Sequence, residues 1–130
     1  MPHFVVTKII VSLNRQEKCL NGSSILALGA AYKKNVSDIR ESPAIEIMSE
    51  LKHKMANISY NDPYVPTIEL SGTEYQSVEL TDEALAAADC VVILTDHSDY
   101  DFDRIADKAK LVVDTRNGVR RRDLPHVFHL

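Results

Sequence analysis

The chain has 130 residues, 45% hydrophobic and 26% charged, enough for one ordinary domain whose core needs neither disulfides nor a structural metal. A formal net charge of -4 argues against broad electrostatic attraction to nucleic acid, although a local basic patch could still meet one phosphate-bearing ligand. The composition is that of a globular chain rather than a disordered or fibrous one, and two cysteines far apart, Cys19 and Cys90, suit a reduced, cytoplasmic protein.

The opening segment carries Lys8 and breaks its apolar run too early for a secretory or membrane segment, so neither export nor insertion is expected. Phe4, Val5, Ile9, Ile10 and Leu13 recur at helical spacing, with Asn14, Arg15, Glu17 and Lys18 polar behind them. That pattern predicts an amphipathic helix within residues 1–20, ended by Asn21 and Gly22. Ser24 to Leu28 shows no alternation and predicts a strand buried on both faces. Ser42 and Pro43 predict a helix start, the serine accepting a backbone N–H and the proline at the first helical position losing none. Lys52, His53 and Lys54 complement the negative end of that helix, after which Ala56 to Tyr60 predicts a second strand.

A looser stretch holds Pro63, Pro66 and Gly72, with a short third strand predicted near Gln76 to Leu80. Thr81 is expected to cap a helix leading into the strand Cys90 to Leu94. A turn and helix are expected from Asp96 to Ala109, then a last strand from Lys110 to Asp114. Thr115 to Leu130 reads as a tail with at most one helical turn. This alternation predicts the α/β class: a Rossmann-like three-layer α/β/α sandwich with a mainly parallel five-stranded sheet and right-handed crossovers, preceded by an N-terminal helix. One domain over residues 1–130 is expected, with the helix in 1–20, the α/β core in 24–115 and the tail in 116–130. Such sheets bind ligands outside the carboxyl ends of their strands, which selects the loops at 29–41, 61–66, 95–101 and 115–122.

The loop from Gly29 to Pro43 is rich in groups suited to an anionic aromatic ligand. Lys33, Lys34 and Arg40 could meet phosphate and Tyr32 could stack on a base. Solvated loop charges, with Arg40 paired to a carboxylate near the helix start, are the alternative. A single glycine at Gly29 does not make the G-x-G-x-x-G turn, so NAD is not expected to bind here in the usual way. Asp62 could serve a cleft or merely form its own turn. Asp96-His97 invites an acid/base reading, but Asp96, Ser98 or Asp99 entering the next helix is the simpler expectation. His126 and His129 have no partner cluster in sequence, so no metal is expected. Arg120, Arg121 and Arg122 could extend an anionic site or form a solvated basic run.

The stretch from Ile25 to Pro43 resembles the opening of the UDP-binding domain of the UDP-glucose/GDP-mannose dehydrogenase family. Tyr60-Asn-Asp-Pro-Tyr-Val-Pro66, Ala88 to Ser98 and Leu111-Val-Val-Asp-Thr-Arg-Asn117 are similar to that domain's later landmarks, in the same order, so the resemblance covers roughly residues 2 to 120. It implies that Tyr32 and Lys33 contact the uridine and ribose side of a UDP-sugar and that Arg116 reaches the same nucleotide sugar. It further implies that Arg40 approaches the phosphates of NAD, the cofactor being held mainly by another domain.

The family oxidises the sugar C6 alcohol to a carboxylate with NAD, through a thiohemiacetal on a cysteine in a Cys-Phe-Pro-Lys-like segment. No such segment occurs here, and neither Cys19 nor Cys90 has that context. No catalytic residue is therefore expected in this chain. The resemblance implies a fragment of a longer enzyme, inactive alone, whose partners are the UDP-sugar, the missing NAD-binding and central helical parts, and a second subunit in a homodimer. The segments 60–66 and 95–100 resemble members acting on UDP-N-acetylhexosamines more than on UDP-glucose, with a role in making polysaccharide precursors. A stand-alone nucleotide-binding or scaffold domain without catalysis is the alternative.

Overall fold

The unbroken apolar runs of the sequence become the central strands, and the amphipathic segments cover them on both sides. The computed structural model describes residues 2–40, 42–121 and 123–130. The elements are α1 (Pro2–Arg15), β1 (Ser24–Leu28), α2 (Pro43–His53), β2 (Asn57–Asn61), β3 (Thr67–Leu70), β4 (Thr73–Gln76), α3 (Asp82–Ala87), β5 (Cys90–Ile93), α4 (Phe102–Lys108), β6 (Val112–Asp114) and β7 (Val127–His129). The main sheet runs β2-β1-β5-β6-β7 with every neighbouring pair parallel. Chain order reverses across β1, which lies between β2 and β5, so the loops leaving these three strands share one edge.

Successive strand residues point to opposite faces, and this divides the core in two. Ile25, Ala27, Cys90, Val92 and Val113 pack with Val5, Ile9 and Leu13 of α1 and Ala44, Ile47, Met48 and Leu51 of α2. Leu26, Leu28, Val91, Ile93 and Val112 pack with Leu85 of α3 and Ile105 and Ala106 of α4. The expected three-layer α/β/α sandwich is thus built, with α1 joining α2 in one layer. Ser42 caps α2, its hydroxyl accepting the Ala44 N–H, and Thr81 caps α3 through Ala84 N–H. Along α1, Val6 rather than Phe4 or Ile10 completes the buried stripe, and those two remain exposed.

Three expectations are corrected. The strand expected near Gln76 to Leu80 ends at Gln76, as β4 (Thr73–Gln76), and pairs with β3 in a separate antiparallel hairpin instead of continuing to Leu80. Its turn residues, Ser71 and Gly72, both have positive φ, the geometry of a tight hairpin turn. The fifth sheet strand is instead β7, inside the supposed tail, with Val112 beside Val127 and Asp114 beside His129. The turn and helix expected from Asp96 to Ala109 form, with α4 at Phe102–Lys108, but its cap is Asp101, whose carboxylate accepts the Arg104 N–H at 3.2 Å. Asp96, Ser98 and Asp99 do not enter the helix, because residues 97 and 98 are engaged across the sheet edge by Asn35. Among the described residues, no helix is long and apolar enough to cross a membrane.

Candidate functional site

At the carboxyl edge of the sheet the chain leaves β1 through Gly29, whose φ is +96°. A Cβ at this position would lie 2.4 Å from the Thr95 Cβ, so only glycine lets the exits of β1 and β5 meet this closely. The Thr95 hydroxyl donates to Ala31 O at 2.9 Å, and the Ser42 hydroxyl donates to Ala30 O at 2.8 Å. The start of the loop is therefore held from both neighbouring segments.

Asp62, leaving β2, is fully buried and organises the same loop. Its Oδ2 accepts the N–H groups of Ala30 at 2.7 Å and Ala31 at 3.1 Å, while Oδ1 accepts that of Tyr64 at 2.8 Å. The Tyr64 bond is the expected turn-forming role; the other two reach across the sheet. His97, also fully buried, places Nε2 2.9 Å from Asp62 Oδ2. Its Nδ1 accepts the Asn35 N–H at 2.7 Å, so the ring proton sits on Nε2 and is donated to the carboxylate. The Asn35 amide donates to Ser98 Oγ and accepts the Ser98 N–H, both at 2.9 Å. His97 thus pairs with Asp62 and not with its sequence neighbour Asp96. Strand order carries the signal for this pairing: β2 and β5 flank β1, so residues leaving them converge over the β1 loop.

A second buried carboxylate, Asp114, shapes the exit of β6. It accepts the N–H groups of Arg116 at 3.0 Å, Gly118 at 3.2 Å and Val119 at 2.8 Å. Arg116 is anchored further by Nε donation to Leu94 O at 2.9 Å. It lines a pocket of about 170 Å³ with Val5, Pro43, Ala44, Ile47, Leu94 and Thr115. That volume is below the roughly 300–1,000 Å³ of sites that enclose a small molecule, so this pocket can meet part of a ligand but not enclose one.

The other expected residues lie at the same strand edge without joining this pocket. Tyr32 is half exposed and Lys33 exposed, on the arc between Ala31 and Asn35. Arg40 is exposed and forks onto Asp38, with Nε and Nη2 each 3.1 Å from a carboxylate oxygen. The guanidinium holds the Asp38 carboxyl below its usual range. Arg121 approaches Asp107 and Asp123 at 3.6 Å, Arg120 is exposed, and Arg122 lies outside the described residues.

Two features bear on the expected chemistry. In a dinucleotide fold, the amides after the first strand face a pyrophosphate. Here those of Ala30 and Ala31 are taken by the Asp62 carboxylate, so these residues do not fit a dinucleotide at that position. Burial pushes the Cys90 thiol up to about 12 and raises the Tyr100 hydroxyl, while Tyr60 is pushed up to about 12. Cys90 is therefore a protonated core group and no nucleophile.

A doubly wound parallel sheet with polar loops gathered outside its strand ends belongs to the class of α/β domains whose ligands bind at the switch in strand order. Residues 26–121 match the UDP-glucose/GDP-mannose dehydrogenase family, UDP binding domain, and the chain belongs to that family. It is 33% identical over 125 residues to a UDP-N-acetyl-D-mannosamine dehydrogenase of Methanococcus vannielii, covering 90% of this chain and 27% of that protein. A UDP-glucose 6-dehydrogenase of Rhizobium meliloti is 34% identical, with 81% and 25% covered. Among solved structures, a UDP-N-acetyl-mannosamine dehydrogenase from Staphylococcus aureus superposes with a TM-score of 0.71 at 28% identity, covering 98% of this chain and 30% of that one. A UDP-D-ManNAc dehydrogenase from Pyrococcus horikoshii shares the fold at a TM-score of 0.80 and 22% identity, with 98% and 30% covered. The chain thus spans about a quarter of the length of the curated relatives it matches.

Proposed function

We propose that this domain forms the UDP-facing wall of an interdomain cleft in an NAD-dependent nucleotide-sugar 6-dehydrogenase, a cytoplasmic enzyme of polysaccharide precursor synthesis. The observation that carries the reading is the family match over residues 26–121, together with relatives named as dehydrogenases of UDP-sugars. Tyr32 and Lys33 hold the uridine and ribose side and Arg116 reaches the same ligand. Arg40 turns toward the phosphates of NAD, which is bound mainly by another domain. The sugar is UDP-N-acetylmannosamine or UDP-N-acetylglucosamine in preference to UDP-glucose, and the full-length enzyme is a homodimer. The catalytic cysteine belongs to the rest of that enzyme, and the 130-residue chain catalyses nothing by itself. Binding energy from the remote nucleotide orients the sugar C6 for reaction at the other wall.

Calorimetric titration of the chain with UDP, GDP and NAD tests this. UDP is expected to bind, and Lys33→Ala and Arg116→Ala are each expected to weaken it about tenfold, the worth of one charge-assisted hydrogen bond. Binding of GDP without UDP would remove the UDP assignment, and unchanged affinity in both variants would remove the site.

A further inference from the structure

Tyr32 and Lys33 occupy a short arc of an exposed loop, within which the Tyr32 N–H donates to Asp38 O at 2.6 Å. The arc is anchored at both ends from below. At its start, Asp62 takes the N–H groups of Ala30 and Ala31. At its end, His97 Nδ1 takes the Asn35 N–H, and Asn35 holds a left-handed backbone at φ 62°. The two anchors are joined by the His97 Nε2 bond to Asp62, with both side chains fully buried. The rings of Tyr64 and Tyr100 flank the imidazole at centroid distances of 4.8 and 5.8 Å. Tyr64 is tied to Asp99 and Tyr100 to Asn61 O through their hydroxyls.

We propose that the buried Asp62–His97 pair is a positioning device for the nucleotide contacts, fixing the loop at residues 30, 31 and 35 so that Tyr32 and Lys33 are presented in one conformation. The proposal rests on the reading of Tyr32 and Lys33 as nucleotide contacts. The geometry assigns each imidazole nitrogen a separate task. Nε2 holds the carboxylate that grips the start of the arc, and Nδ1 grips its end. Glutamine at position 97 can place an amide N–H where Nε2 lies but leaves the Asn35 N–H without its acceptor. Asparagine can place Oδ1 where Nδ1 lies and so keeps that acceptor.

The test compares the 130-residue chain with His97→Gln, His97→Asn and an Ile105→Ala control, in which destabilisation arises in α4 and away from the loop. Amide hydrogen exchange and nitrogen relaxation report on residues 30 to 35, and calorimetry reports UDP affinity. The Asn35 amide of the unaltered chain is expected to be protected although its residue is exposed; exchange as free as that of Lys34 would overturn the proposal before any variant is made. In His97→Gln, order parameters at Lys33 to Asn35 should fall from about 0.85 toward 0.6, and UDP should bind roughly tenfold more weakly through lost pre-organisation. His97→Asn should keep the order at residue 35 but lose protection at Ala30 and Ala31, with a smaller loss of affinity than His97→Gln, and Ile105→Ala should lose thermal stability while keeping loop order and affinity. Loss of UDP affinity in Ile105→Ala equal to that in His97→Gln would reduce the pair to ordinary core structure. If the unaltered chain binds no UDP, the nucleotide reading falls. The relaxation data still decide the clasp, and unchanged loop order in His97→Gln overturns it.

Discussion

Gly29 shows how a single residue can set the shape of the ligand edge. Its φ of +96° and the 2.4 Å approach that a Cβ would make to Thr95 act together. Alanine would be strained in the backbone and would also push β1 and β5 apart where their exits meet. Gly29→Ala is expected to cost about 3 kcal/mol, summing left-handed strain and overpacking, read as a lower urea midpoint. The loop to Pro43 should also lose amide protection, whereas full stability in this variant would contradict the close approach. Tyr32, Lys33 and Arg116 were legible as candidates through the family resemblance, but what holds their loops was not. Asp62 and His97 are 35 residues apart, and no local spacing links them. His97 was legible only beside Asp96, because adjacency is visible in sequence and strand order is not.

At the scale of elements, Asp89 ties α1's exit to the sheet. Its Oδ2 accepts the Ser24 N–H at 2.8 Å, at the start of β1, and its Oδ1 accepts Lys18 Nζ at 3.0 Å. The Ser24 bond, then the Lys18 bond, lowers the Asp89 pKa below its ordinary 3.8. A carboxylate with a depressed folded pKa contributes stability that is fully present above its unfolded value and is lost as pH falls through the folded one. Asp89→Asn should therefore cost about 1 kcal/mol at neutral pH, since the side chain is part exposed. The gap to the unaltered chain should close as pH falls through the depressed folded pKa, which lies below 3.8, because the unaltered carboxyl is then protonated as well. Urea titrations across that range measure it, and a gap independent of pH would assign the effect to something other than this charge. The elements that were legible, β1, β5, β6 and the starts of α2 and α3, have apolar runs or caps of their own. The β3–β4 hairpin and three-residue β7 were not, because their identity comes from a turn conformation and from the open edge of β6.

At the scale of the molecule, the three layers leave one polar edge and a pocket of about 170 Å³ beside Arg116, too small to enclose a ligand. A ligand that binds the folded chain stabilises it by mass action even when binding is weak. At ten times its dissociation constant the gain is about 1.4 kcal/mol, or roughly 5 °C in melting temperature for a chain of this size. On the proposed reading, in which the sugar projects away from this wall, UDP should produce that shift and the UDP-N-acetylhexosamines a similar one. NAD should produce none, since Asp62 already fills the amide cradle that a pyrophosphate would use. Incubating the chain with UDP-N-acetylmannosamine and NAD should yield no reduced nicotinamide, with Cys90 held protonated in the core and Cys19 lacking an activating context. A melting shift with NAD as large as with UDP would mean that the edge accepts a dinucleotide despite the carboxylate. Turnover by the isolated chain would mean that the reacting groups are present here and not on the opposite wall.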